Sequence, residues 1–344
     1  MRITTVEHLL PTRRVTNEEL VTRIREHNAD RLSDRDLAAL EGTIRRTLNA
    51  AGTEVRYYIE NGERPIDYAI EAGRQALARA AMPPAEVDFV IYASVSRGWT
   101  EPATAVVLQS ALGLERATAF DVLDACAGWL RALHIAHSFI RGGTYRTGLI
   151  VTCECGASRD AVNWQFDGAG DLEHRLAACT IGEAATATIV DGSELQDDFH
   201  FTFRTAGEHF GLCVIPLPGM DGFVPGHCDE RYVPGQLFSL SRKLVDAVTA
   251  GIVQLFDSDP LLHGPYDVAF GHEVSERVCE AVTRRLGVAD VYFPTHRRYG
   301  NTVSGSVPLS MSTALREGRL KRGNRVLIII GASGVTVGFA AFTF

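Results

Sequence analysis

The chain has 344 residues, 46% hydrophobic and 22% charged, a balance that allows a large buried core and is ordinary for a globular enzyme. A formal charge of −8 and a pI near 5.8 exclude nucleic acid as a main partner, because neutralising phosphates needs a basic face. No apolar stretch approaches the roughly 18 residues of a membrane span, and seven cysteines without a secretory leader or a Cys-x-x-Cys pair point to a reduced, cytoplasmic compartment.

Residues 2–6 read as a strand and 17–48 as a charged, helix-prone segment. Residues 66–81 carry apolar side chains at helical spacing and are stopped by Met82-Pro83-Pro84. A buried strand over 87–93 follows, then a loop over 94–102, a helix to 112 and a strand leading to Cys126. A helix is expected over 127–140 and a strand over 148–155. The polar stretch 158–173 reads as an insertion or cap, and a strand over 181–190 closes the first half, with 191–198 as the linker. The second half repeats the order more loosely: a helix over 240–256, a strand over 266–270, a helix over 275–286, and a terminal strand pair over 327–331 and 335–344. Alternating strands and helices imply an α/β fold with mostly buried sheets, and the repeated order implies two pseudo-duplicated halves with the site between them.

Cys126 stands where a short apolar segment, 120–125, runs through small residues into a helix. Small neighbours permit a sharp bend, and the positive end of the following helix is expected to favour thiolate over thiol. His272 and Asn301, in Gly271-His272-Glu273 and Gly300-Asn301-Thr302, are its candidate partners. Cys, His and Asn together suffice for acyl-thioester chemistry. Cys153 and Cys155 alternate in a strand and are expected to pack in a core, and no cysteine or histidine spacing suggests a metal site. His134 and His137 are read as packing residues of the helix after Cys126, and His209 is left unassigned.

Several motifs in one order resemble the thiolase superfamily, and within it the ketoacyl-acyl-carrier-protein synthase III group. They are Asp-x-x-x-Ala-Cys-x-Gly at 121–128, Gly-x-x-x-Arg-Tyr at 52–57, a His-Gln-x-Asn-like element at 272–275, Gly-Asn-Thr at 300–302, and the turn Gly331-Ala332-Ser333-Gly334. The resemblance implies a five-layered αβαβα thiolase fold, with residues 1–192 carrying the nucleophile and 193–344 carrying His and Asn. It implies a homodimer that binds no cofactor tightly and takes acyl thioesters of coenzyme A or an acyl carrier protein. The implied reaction joins an acyl group held on Cys126 to a second thioester. Backbone N–H groups of Cys126 and of 331–334 would stabilise an oxyanion, while His272 and Asn301 would donate to the enolate. Arg277 and Arg56 are candidate contacts for carrier or substrate.

Two departures draw the resemblance toward enzymes that join two acyl chains head to head in bacterial olefin synthesis. Gly271 and Ser275 stand where malonyl-decarboxylating members have Pro and Asn, and the segment 94–105 is closer to the head-to-head group. In that group a glutamate matching Glu101 acts as base in the partner subunit's site. A buried carboxylate there would have a raised pKa, and Glu273 would tune the charge of His272. The alternatives are a same-fold acyltransferase that passes the acyl group to a hydroxyl or amine, an aldol condensation like that of hydroxymethylglutaryl-CoA synthase, and a non-catalytic subunit of a heterodimeric synthase.

Overall fold

A computed structural model describes residues 1–60, 62–193, 198–225 and 228–344. Strands β1 (Arg2–Leu9), β2 (Phe89–Tyr92), β3 (Thr118–Asp121), β4 (Thr147–Cys153) and β5 (Ala185–Asp191) form one sheet in the spatial order β1-β5-β4-β2-β3. Strands β6 (His200–Thr205), β7 (Val268–Gly271), β8 (Arg325–Ala332) and β9 (Thr336–Thr343) form the second, in the order β7-β8-β9-β6. In the first sheet β5 runs antiparallel to both neighbours and β2 runs parallel to β4 and β3. In the second, β9 runs antiparallel to both neighbours and β7 runs parallel to β8. The second sheet therefore repeats the first, with β6, β9, β8 and β7 in the places of β1, β5, β4 and β2. The place of β3 falls to the segment through Tyr292 and Phe293, which meets β7 in a single parallel bridge.

The period-two alternation of the strands decides which core each side chain enters. Phe89 and Ile91 of β2 share a central core with Val268 and Phe270 of β7 and with Val326, Ile328 and Ile330 of β8. Val90 and Tyr92 turn instead to an outer core under the helices α1 (Pro65–Arg79) and α2 (Thr104–Ala111). The central layer between the sheets is filled by α3 (Gly128–Arg141) and α6 (Ser306–Arg316), whose Trp129, Leu133, Val307 and Met311 lie in the shared core. Ala269, Leu327 and Ile329 face a second outer core with Ile252 of α4 (Ser241–Ser258) and Val282 of α5 (Glu276–Arg285). Helix, sheet, helix, sheet, helix are the five layers expected. Full burial of each large apolar side chain contributes roughly 1.5–3 kcal/mol, so the central core binds the two halves firmly.

The segment 17–48 is two helices, Asn17–Asn28 and Asp34–Ala51, because Ser33 starts a second helix by accepting a bond from Asp36 N–H. The stretch 158–173 does form a cap. Trp164 and Phe166 pack on these two helices, and Asn28 holds both through Nδ2 to Trp164 O at 2.8 Å and Oδ1 from Phe166 N–H at 2.7 Å. Strand β5 starts at Ala185 rather than 181, because Ile181 is used in a bridge to Asn301. Helix α6 was not anticipated. Of the linker expected over 191–198, residues 194–197 lie outside the described residues. Among the described residues, no helix is long and apolar enough to cross a membrane.

Candidate active site

Strand β3 ends at Asp121, whose carboxylate caps α2 from across the layer, accepting Thr104 N–H and Ala105 N–H at 2.9 Å each. Residue Ala103 gives that helix no side-chain cap, so Asp121 satisfies two of its orphan donors. The chain then turns at Ala125, held at φ 44°, a region that costs a non-glycine residue of order 1–3 kcal/mol. Salt-bridged Arg131 to Asp124, at 2.9 Å, and Trp129 Nε1 to Thr188 Oγ1, at 3.0 Å, pin the turn to α3 and β5. Cys126 follows the strained residue directly, at the floor of a cavity of about 1370 Å³.

The second half brings its residues to the same cavity. His272 follows β7 and is 8% exposed; its Nδ1 lies 3.2 Å from Ser306 Oγ, and the Val303 backbone also bonds the ring. Burial and the neighbouring His296 hold the imidazole pKa down to about 4, so the ring is neutral. Asn301 reaches across the halves because Thr180 and Gly182 leave room for its loop. Asn301 N–H donates to Thr180 O at 2.8 Å and Gly182 N–H to Asn301 O at 2.9 Å. A Cβ on Gly182 would stand 1.8 Å from Tyr299 O, and Gly300 adopts φ 68°, so both positions require glycine. Val303 N–H donates to Asn301 Oδ1 at 2.9 Å, which leaves the Nδ2 amide as the donor available to a ligand.

The thiol is not in the state the helix end alone implies. Burial first, then Cys213 and Glu154, push the Cys126 thiol well above its ordinary value, and backbone N–H groups of Cys126 and Ser333 only partly oppose them. Cys126 therefore rests as a thiol, and reaction at its sulfur would need a proton acceptor. The Ser333 contact also places one N–H of the 331–334 turn at the sulfur, and Gly331, Ala332 and Ser333 line the cavity whereas Gly334 does not.

Glu101 is exposed and does not line the cavity of its own chain, so the buried carboxylate expected there is absent from the single chain. Arg56 is fully buried, donates Nη2 to Asn17 Oδ1 at 2.8 Å, and lies away from the cavity lining. It packs the Gly182 and Gly300 turns instead, with its Cβ 3.5 Å from the Cβ position of each, and cannot meet a carrier or substrate in this structure. Arg277 is exposed at the cavity rim. Its neighbours Glu276 and Glu280 pair with Arg297 and Arg284, so among the described residues Arg277 forms no ion pair. Glu273 turns away from His272. Its Oε1 accepts from Tyr292 Oη at 2.6 Å and its Oε2 from His296 N–H at 2.9 Å, and burial raises it to about 7. His134 stacks on Phe201, ring centroids 4.8 Å apart, and His209 does not reach the cavity.

Glu154 is the site residue that the sequence reading passes over. Buried between Cys153 and Cys155, all three on the cavity wall, it accepts Val95 N–H at 3.0 Å, Ser96 N–H at 3.1 Å and Ser304 Oγ–H at 2.5 Å. One carboxylate thus ties β4 to the 94–97 loop and to the loop after Asn301.

Sequence profiles of two halves of one family match the chain. The 3-oxoacyl-[acyl-carrier-protein] synthase III profile matches residues 120–207, and the C-terminal profile of the same synthase matches 263–344. A β-ketoacyl-[acyl-carrier-protein] synthase III from Clostridium perfringens is 29% identical over 292 residues, spanning 83% of this chain and 86% of the relative. Two solved structures share the fold. The 3-oxoacyl-[acyl-carrier-protein] synthase III of Aquifex aeolicus superposes with a TM-score of 0.80 at 22% identity, covering 99% of both chains. A Xanthomonas campestris OleA variant with bound lauric acid and lauroyl-CoA superposes at 0.81 and 22% identity, covering 99% of this chain and 98% of that one.

Proposed function

Because the chain is a condensing enzyme of the thiolase superfamily, akin to 3-oxoacyl-[acyl-carrier-protein] synthase III, we propose that it joins two acyl thioesters through an acyl group held on Cys126. The observation that carries this reading is the convergence of Cys126, His272, Asn301 and the Ser333 backbone on one large cavity. In the first step the neutral His272, through Nε2, takes the thiol proton as sulfur attacks the thioester carbonyl and passes it to the departing coenzyme A or carrier thiolate, which returns the ring to neutral. Cys126 and Ser333 N–H groups stabilise the oxyanion. In the second step Asn301 Nδ2 and the neutral His272, in its Nε2–H tautomer, donate hydrogen bonds to the carbonyl oxygen of the incoming thioester as its enolate forms. Carbon attacks the acyl-Cys126 carbonyl and the sulfur leaves as thiolate.

Where that second thioester has no carboxylate to lose, a base must remove its α-proton. Glu101 serves only if a second copy brings it in. Strand β3 is an edge strand, and Trp99, Val106 and Leu123 around it are 46%, 40% and 65% exposed, which supports a two-fold dimer built on this edge. Arg277 at the rim, without an ion pair among the described residues, suits the phosphates of coenzyme A or an acidic carrier protein. The products fit fatty-acid, polyketide or other lipid biosynthesis in the cytoplasm.

Intact-mass spectrometry of wild type and Cys126→Ala, with acyl-CoAs and acyl carrier proteins and with products read from the same samples, tests the proposal. The expected result is an acyl adduct absent from Cys126→Ala, together with a β-keto product. An adduct with no carbon–carbon product from any pair of thioesters, malonyl included, would reassign the protein to acyl transfer onto a hydroxyl or amine.

A further inference from the structure

Two donors in the first-half wall of the cavity lack an acceptor. Arg97 Nε and Thr104 Oγ1 are buried and unpartnered among the described residues, and both residues line the cavity that holds Cys126. Both border Asp121, whose two oxygens are already engaged by the α2 backbone. The Arg97 guanidinium forms a loose ion pair with Asp121 Oδ2 at 3.7 Å, too long for a hydrogen bond, and among the described residues its hydrogen bond runs from Nη2 to Ser94 O at 2.8 Å.

The arginine is also held in place at its root. Val95 and Ser96 N–H are fixed on Glu154, Ser94 Oγ accepts Cys153 N–H at 2.7 Å, and Ser96 O accepts the Tyr92 hydroxyl at 2.5 Å. A surface arginine would turn its fork to water, yet this side chain is only 22% exposed. Leaving a buried donor without an acceptor costs about 1–3 kcal/mol, and a ligand in the cavity is one way to supply the acceptor.

We propose that this corner, made by Arg97 and Thr104, is a subsite for an acyl chain that ends in a carboxylate. A guanidinium edge and a hydroxyl are complementary to two carboxylate oxygens, and the charge-assisted bond is the stronger kind. The substrate class is then a dicarboxylic acyl thioester, with its thioester carbonyl at Cys126 and its free carboxylate at Arg97.

This inference rests on Cys126 as the acylated nucleophile, and two measurements keep the two ideas apart. Labelling of wild type, Arg97→Met and Thr104→Val by succinyl-, glutaryl-, butyryl- and valeryl-CoA is timed by intact mass. The dicarboxylic thioesters are expected to label at least about tenfold faster than plain ones of equal length. The preference disappears in Arg97→Met and shrinks in Thr104→Val, while plain acyl labelling is unchanged. Calorimetric titration of Cys126→Ala with succinyl-CoA and butyryl-CoA, with and without Arg97→Met, reads the same preference with no acyl transfer. Equal labelling and equal binding of the two series by the wild-type subsite, or a preference that survives both substitutions, overturns the subsite even if Cys126 is acylated. An Arg97-dependent binding preference with no Cys126 adduct upholds the subsite and overturns the nucleophile assignment.

Discussion

Two patches of the cavity wall are built from opposite materials. One, from the first half, is polar: Glu154 gathers two backbone N–H groups and a serine, and Arg97 and Thr104 hold unpartnered donors. The other, from the second half, is apolar: Leu244, Val248 and Ile252 of α4 and Val278 and Val282 of α5. Leu244 and Val248 remain half-buried within their own helix packing because the cavity, not another helix, meets them. Cys126 from one side and His272 and Asn301 from the other meet on the seam. A site with unlike walls is suited to two unlike substrate groups, one bound by charge and one by apolar area.

The largest effect is expected from disturbing the apolar wall. A Cβ on Gly331 would stand 2.1 Å from Val248 Cγ1, so Gly331→Ala must push α4 outward. Overpacking of this kind costs about 1–3 kcal/mol, which thermal denaturation will register. Use of long-chain thioesters should fall with it, while labelling by short dicarboxylic ones persists; equal loss of both would erase the distinction between the walls.

Acid should act next, through the seam that both walls share. His8 bonds Ser312 of α6 at 2.9 Å and His272 bonds Ser306 of the same helix, and burial holds His8, His272 and His296 down to about 4. Their unfolded values near 6.5 lie above the folded ones, so the unfolded chain binds more protons in between. Stability is therefore complete above pH 6.5 and is lost as pH falls through 4, by on the order of 1 kcal/mol per pH unit for each histidine. Glu273 works the other way. Its folded value, about 7, exceeds the unfolded one, so its contribution is complete below pH 4.5 and is lost as pH rises through 7. Urea denaturation between pH 7.5 and 4.5 should show the three histidines outweighing Glu273, and a flat profile would contradict the neutral seam.

The smallest effect belongs to the polar wall. Glu154→Gln removes a negative charge that raises the Cys126 thiol, so iodoacetamide labelling of Cys126 at pH 8 is expected to quicken by about tenfold or less. Turnover should fall at the same time, because the Ser304 tether to the Asn301 loop is weakened. Ser304→Ala keeps the charge and should lower turnover without moving the labelling profile.

What the sequence made legible follows from the period of each element. The runs through Val90 and Ile328 read as buried strands because both faces are covered, and α4 and α5 read as helices because their outer faces are polar. Helix α6 escaped because it has no polar face. It is buried between two sheets, and Ser306, Ser310 and Ser312 along it serve as inward partners rather than surface residues. Glu154 escaped for a related reason, since a carboxylate between two cysteines at a strand end carries no spacing signal. Arg56 stood in a motif that could not distinguish an inward side chain from an outward one. The helix end that Cys126 precedes favours thiolate, whereas burial and the charges of Cys213 and Glu154, distant in the chain, favour the thiol. Glu101 drew its expected role from the resemblance alone, and its own chain places it outside the cavity.

The most direct test isolates the acyl-Cys126 enzyme, free of excess thioester, and supplies one equivalent of a second acyl thioester. Wild type is predicted to lose its adduct as one β-keto product forms per acyl group, and Asn301→Ala to keep its adduct while condensation slows by about 10²–10³-fold. Adduct lost as free acid, ester or amide, with no carbon–carbon bond formed, would contradict the account.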